Sequence, residues 1–293
     1  MELGTIGIWS MQLRGAHQPV VRDSAAELDA LGYRALWIPG LDGRGAFDDV
    51  GALLAAAPHS VVALGVLGVW GQRPNDVGRR LADLDVAHGA RTLLGLGVSS
   101  PESARAAGES WGNPVTTMSN YLDQLAASDH PVARDRLVLG ALGPRMAQLA
   151  ATRTSGLHPF LVPPAYAAIQ RETLGSGPLI APHLTVVLDT DPSRARDVAR
   201  DGVGFYLGLP AYRANSARLG FSDDDLIPGG SDRLIDALVA HGDLADVERR
   251  VQEHLDAGAN HVALHVLTGD NQLPLPQWRE LATLRSSTSS TDR

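Results

Sequence analysis

Eight short runs rich in Val, Ile and Leu, each followed by a segment of helical periodicity, constrain this chain more than any other feature. A strand covered on both faces reads as a near-continuous apolar run, and parallel neighbours need a crossover long enough to hold a helix. The runs lie at Leu3 to Trp9, Ala35 to Ile38, Val61 to Val69, Thr92 to Leu96, Leu137 to Ala141, Gly156 to Leu161, Leu184 to Leu188 and His261 to Leu267. Between them apolar positions recur at helical spacing. In Val20 to Leu31, Ala25, Leu28 and Leu31 share a face and Gly32 supplies the stop. Asn75 to Ala87 starts at a Pro-Asn pair, Arg145 to Thr152 follows Gly143-Pro144, and Pro192 to Asp201 opens on an Asp-Pro-Ser cap and is expected to end at Gly202.

A repeating βα order with eight strands and no break in composition predicts one α/β domain over residues 1–285, a (β/α)8 TIM barrel, with a doubly wound sheet as the alternative. Two stretches exceed an ordinary connection. Ser100 to Leu125 follows the fourth strand, and Gly202 to Gly242, containing Gly229-Gly230-Ser231-Asp232, follows the seventh; both are expected to be insertions that wall a pocket. The tail Ser286 to Arg293 has no apolar anchor and is expected to be disordered.

Composition narrows the chemistry. The net charge is −8 with no concentration of Arg, which argues against nucleic acid as a partner. The absence of cysteine removes thiolate nucleophiles, iron–sulfur clusters and cysteine zinc sites, and fits a cytoplasmic protein. No basic-then-apolar leader and no apolar run of about 18 residues occurs, so neither export nor a membrane span is expected. All 25 cationic side chains are Arg, which excludes Schiff-base lysine and a Walker-type loop; an anion must be held by Arg, backbone amides or helix ends.

In a barrel the site is built from the C-terminal ends of the strands. The third ends LGVLGVWGQRP, where Gly65, Gly68 and Gly71 admit close backbone approach and Trp70 offers a flat apolar face; a glycine-relieved corner with a core Trp explains it equally. The fourth ends LLGLGVSSPE, where Ser99 and Ser100 can meet a ligand oxygen, or Ser100 can simply cap the next helix. The fifth leads through Gly143-Pro144 into a helix whose first amides and Arg145 suit an anion, although a tight βα turn needs no ligand. The sixth ends GLHPFLVPP and places His158 at the rim, as a functional imidazole or a packed one. His261 and His265 fall in a strand without a third ligand, so no metal site is expected; Asp223 to Asp225 reads as a solvated acidic loop.

In this order, IGIW (Ile6 to Trp9), ELDALGYRALWIP (Glu27 to Pro39), GVWGQRP (Gly68 to Pro74), LLGLGVS (Leu93 to Ser99), ALGPRMAQLAATRTSGLHPFLVPP (Ala141 to Pro164) and GGSDRLIDAL (Gly229 to Leu238) resemble the luciferase-like monooxygenase superfamily, and specifically its F-420-dependent oxidoreductases from actinobacteria. The resemblance spans nearly the whole chain. It implies a bulged third strand, often with a non-proline cis peptide, backing the deazaflavin ring near Leu67-Gly68. By position it implies that Pro39, Leu67, Gly68, Trp70, Val98 and Ser99 line the ring and that Leu142, Gly143, Arg145 and Met146 meet the ribityl phosphate end. Beside the resemblance, Trp9, Trp70 and His158 are candidate substrate contacts, and His158 and His17 are candidate proton donors or substrate contacts. Relatives commonly carry an acid or a His-containing pair just after the second strand, where this chain has Pro39-Gly40, and a second acid in sugar-phosphate-oxidising relatives corresponds to Ser100.

The expectation is therefore hydride transfer between coenzyme F-420 and a small organic substrate in a homodimeric protein. FMN in the same fold is the alternative, and a non-catalytic binding barrel is a third reading that Gly40 and Ser100 permit.

Overall fold

The computed structural model describes residues 1–270 and 272–284, so the tail 286–293 lies outside the described residues. The strands are β1 Ile6–Trp9, β2 Ala35–Ile38, β3 Val61–Gly68, β4 Thr92–Gly97, β5 Leu137–Leu139, β6 Gly156–Leu157, β7 Leu179–Ile180, β8 His183–Val187, β9 Val239–His241 and β10 Val262–Val266. They form one parallel sheet in the order β7-β6-β5-β4-β3-β2-β1-β10-β8-β9, surrounded by twelve α-helices among the described residues. All eight expected strands are present, several shorter than their apolar runs. β7 and β9 are additional. β7 is two residues long and is followed at once by Ala181-Pro182, and β9 continues directly from the helix Asp232–Leu238, so neither stands apart as an apolar run.

The sheet curls until its two sides meet. The amide of Ala181 donates to the Leu157 carbonyl at 3.0 Å and that of His183 to the Pro159 carbonyl at 2.9 Å, while β8 pairs on its other side with β10. The segment through β7 and β8 thus bridges β6 and β10 and gives a TIM-barrel-like cylinder. Side chains alternate with period two. Ile6, Ile8, Leu36, Ile38, Val62, Leu64, Leu94 and Leu96 point outward into one cluster with the apolar faces of the helices. Trp9, Ala35, Trp37, Ala63, Leu93, Val138, Ala181 and Ala263 point inward and fill the cylinder. Each buried Leu or Ile contributes roughly 1.5–3 kcal/mol, so this two-sided burial is what makes the apolar runs so legible.

The long connections carry structure of their own. The stretch after β4 holds the helices Pro101–Ala106 and Pro114–Ala126. After β8 the helix expected to stop at Gly202 runs on through Pro192–Leu207. Gly202 is there for space rather than termination, because a Cβ would stand 2.4 Å from Cδ1 of Leu267. Helices Pro210–Arg218 and Asp232–Leu238 follow, and the second is capped by Ser231, whose Oγ accepts from the Leu234 amide at 3.1 Å. Asp225 departs from the solvated-loop reading: it is buried, accepts from Ser231 Oγ at 2.8 Å and pairs with Arg233.

Candidate functional site

Among the described residues three non-glycine residues occupy the left-handed region: Leu41 (φ 50°), Ser99 (φ 60°) and Leu161 (φ 51°). They follow β2, β4 and β6, at the C-terminal end of the sheet. This conformation costs an L-residue roughly 1–2 kcal/mol, and its concentration at one end of a sheet is the pattern of a functional site.

The expected bulge lies in β3, two residues before its expected position. The cis peptide is Gly65–Val66, not Leu67-Gly68, and the register with β4 slips between Leu64 and Leu67. Steric demand explains the glycine. A Cβ on Gly65 would lie 2.7 Å from His158 Nε2 and 3.0 Å from Trp37 Cε3, while the Trp9 indole donates to the Gly65 carbonyl at 2.9 Å. Three interior rings therefore hold this peptide from below. Val66 turns toward β4 and β5, where a Cβ on Gly97 would meet its Cγ2 at 2.6 Å and one on Gly140 at 3.4 Å. The glycines of these strand ends make room for the Val66 side chain.

The other expected ring contacts divide. Gly68, Trp70, Val98 and Ser99 come together: a Cβ on Gly68 would sit 3.9 Å from Ser99 Cβ, and the Trp70 indole donates to the Val98 carbonyl. Trp70 also faces Trp111 at 5.7 Å, so its ring packs toward the insertion after β4 rather than toward Trp9. Leu67 is a correction. Its side chain is fully buried in the outer cluster, and its N, Cα and Cβ crowd Gly40. Pro39 is buried too, with its carbonyl held by Arg14 Nη1 at 2.8 Å and Arg14 in turn paired with Asp49 at 2.8 Å. Gly40 leaves no room for a side chain, because a Cβ there would stand 2.5 Å from Leu67 Cα. Ser100 caps the helix Pro101–Ala106, accepting from the Ser103 amide at 3.3 Å.

Leu142, Gly143, Arg145 and Met146 gather at the start of the helix Pro144–Arg153, below a loop tied by Tyr166, whose hydroxyl donates to the Ala141 carbonyl at 2.7 Å. Leu142 and Met146 pack on the core, and Arg145 is exposed. Arg218, from the stretch after β8, reaches the same place: its Nη2 would be 3.8 Å from a Cβ on Gly143. A helix N-terminus with two guanidinium groups favours an anion. Arg218 was not legible in the sequence, since it arrives from a distant helix.

His158 is inside the cylinder rather than at an open rim. It stacks on Trp37 (4.2 Å between centroids, 11° between planes) and its Nδ1–H donates to the Ala181 carbonyl at 2.7 Å. That bond fixes the tautomer, leaving Nε2 as a lone pair without a partner beneath Gly65. Burial lowers its pKa to about 4, so the ring is neutral near pH 7 and does not act as an imidazolium donor. His17 does not join it. It is exposed on the way to the helix Pro19–Ala30, with its carbonyl accepting from Arg22 at 2.7 Å. Trp9 is at the centre of the upper layer, its ring 5.8 Å from Phe160, 5.0 Å from His183 and 4.4 Å from His265. Among the described residues no group of three or more His, Cys, Asp or Glu can hold a metal ion.

The fold is shared with known proteins. Residues 6–261 match the family described as luciferase-like monooxygenase. An F-420-dependent secondary alcohol dehydrogenase, solved with an F-420–acetone adduct, superposes with a TM-score of 0.74 at 14% identity, over 96% of this chain and 99% of that one. The F-420-dependent tetrahydromethanopterin reductase from Methanopyrus kandleri gives 0.67 at 16% identity, over 96% of both chains. The oxygenating constituent of 3,6-diketocamphane monooxygenase from Pseudomonas putida, solved with FMN, gives 0.67 at 12% identity, over 99% of each chain. A comparison with curated proteins gives no match. No helix among the described residues is long and apolar enough to cross a membrane.

Proposed function

The chain belongs to the luciferase-like monooxygenase family and is an enzyme of the oxidoreductase class, and we propose that it transfers a hydride between coenzyme F-420 and a small organic substrate. The curled sheet is read as a (β/α)8 barrel in which β7 and β8 form one kinked stave, with insertions after β4 and β8 walling the mouth. The observation that carries the reading is the Gly65–Val66 bulge with Val66 laid over Gly97 and Gly140, which makes a flat apolar bed beside a cationic helix end at Arg145 and Arg218.

A phosphorylated tricyclic cofactor fits both features. The apolar floor takes a ring, Ser99 lies beside it, and Gly143, Arg145 and Arg218 take the phosphate. When bound, the deazaflavin supplies a carbon that accepts or donates a hydride, and the protein supplies orientation and exclusion of water. Trp9 donates to the Gly65 carbonyl, and its ring lies 5.8 Å from that of Phe160, centroid to centroid. The neutral state of His158 and its place beneath Gly65 make it a support for the bed. FMN shares the phosphate and the ring, and one structural relative is recorded with it, so it is the second reading.

Titration of the purified protein with F-420, followed by quenching of cofactor fluorescence, tests the proposal. Saturable binding at micromolar levels, weakened roughly tenfold by Arg145→Ala through loss of one charge-assisted contact, is expected. A protein isolated yellow, releasing flavin on denaturation, supports FMN instead, and failure to bind either cofactor overturns the reading. Cytoplasmic residence and a homodimer belong to the same proposal; sedimentation checks the latter.

A further inference from the structure

The loops after β2 and β4 offer no acid or base at Gly40 or Ser100, yet three polar side chains stand buried without partners on the opposite side of the cylinder. His183 and Thr185 share the inward face of β8, and His265 is in register with Thr185 on β10. Both nitrogens of His183, Nδ1 of His265 and the Thr185 hydroxyl have no hydrogen-bond partner. Leaving such atoms dry costs roughly 1–3 kcal/mol each, so buried groups of this kind are ordinarily satisfied. The centroids of the two imidazoles are 5.0 Å apart, and both rings lie against Trp9, 5.0 and 4.4 Å from its ring.

We infer that His183, Thr185 and His265 are the polar contacts of the substrate site and that they recognise an uncharged hydroxyl or carbonyl oxygen on a small apolar molecule. The inference rests on the cofactor reading only for the reaction that follows binding. Each neutral imidazole offers one donor and one acceptor, and the hydroxyl offers both, which suits an alcohol or carbonyl oxygen. Burial holds both rings neutral, and the groups whose charge acts on His183 are His265 and His158, with no carboxylate or guanidinium among them. A carboxylate or phosphate would enter without a counter-charge. The remainder of the molecule has an aromatic wall to meet. Phe160, half-buried, lies 3.7 Å from His183 and 5.1 Å from Tyr206, and Tyr206 lies 5.8 Å from Tyr212; the tyrosines come from the stretch after β8.

The test uses the whole protein labelled with 15N-histidine, with and without F-420, and three probes of one size: cyclohexanone, cyclohexanol and cyclohexanecarboxylate. The first two are expected to shift the imidazole nitrogens of His183 and His265 saturably, and the carboxylate to leave them unmoved. Thr185→Val keeps the volume and removes only the hydroxyl; it should weaken cyclohexanol binding roughly threefold to tenfold, the worth of one hydrogen bond. His265→Leu should weaken both neutral probes by at least about tenfold. Circular dichroism and the F-420 titration on the same variants report folding and the cofactor bed. Probe binding without F-420 binding sinks the cofactor reading and leaves this one standing. The inference is overturned if neither neutral probe saturates in either state, if the carboxylate binds as well, or if folded Thr185→Val and His265→Leu proteins bind like the parent.

Discussion

Replacing His254 by leucine should stabilise this protein, and more so in acid than at neutrality. His254 lies on the helix Leu244–Asp256 in line with Val247 and Val251, fully buried, with neither ring nitrogen hydrogen-bonded. Desolvation lowers its pKa to about 3 from the ordinary 6.5. The unfolded chain therefore takes up a proton near pH 6.5, whereas the folded chain resists until about pH 3. Above pH 6.5 the site is neutral in both states and titration costs nothing; as pH falls below 6.5 the folded state loses stability. At pH 5 the deficit is about 1.5 pH units at 1.36 kcal/mol per unit, or about 2 kcal/mol. Leucine abolishes that loss and also removes two unsatisfied polar atoms, a gain of about 1–2 kcal/mol at any pH once imperfect packing is counted. The expected advantage is thus about 1–2 kcal/mol at pH 7.5 and about 3–4 kcal/mol at pH 5. Urea melts of parent and His254→Leu at both pH values measure it. The paired carboxylates Asp29 and Asp236, whose pKa values are lowered, lose their contribution chiefly below about pH 4.5 and are common to both proteins. His158, His261 and His265, all lowered by burial, steepen the acid decline of both proteins equally. Parallel stability-versus-pH curves, or a variant weaker at both values, would refute the reasoning.

Other substitutions probe the site's foundations. Gly65→Ala places a methyl 2.7 Å from His158 Nε2, against rings that cannot retreat, and should cost about 2–3 kcal/mol in a denaturant melt together with F-420 affinity. Trp9→Phe removes the bond to the Gly65 carbonyl and should cost about 1–2 kcal/mol; an unchanged melting midpoint would mean that this bond does not hold the bulge. Gly40→Asp, which would restore the acid of relatives by sequence, should destabilise rather than activate, since its Cβ meets Leu67 Cα at 2.5 Å; a folded, more active variant would contradict the geometry.

The sequence by itself determined the layout. Continuous apolar runs, the Asp-Pro-Ser cap and proline starts are local signals, and they placed eight parallel strands and the helices between them. Signals of that kind also pointed to the third strand's glycines and to the helix opening at Gly143. What only the tertiary structure decided was which side chains face one another across the cylinder. At the bulge Gly65–Val66, Trp9 from β1, Trp37 from β2 and His158, just after β6, converge on Gly65. Arg218 reaches Gly143 only when the stretch after β8 folds back toward the start of the helix Pro144–Arg153. His183, Thr185 and His265 are unremarkable residues in two apolar runs until closure brings β8 beside β10; the two-residue step from Ala263 to His265 was the one available hint that His265 points inward. A strand's pattern records whether a face is buried, but not against what, because that depends on pairing between segments far apart in the chain.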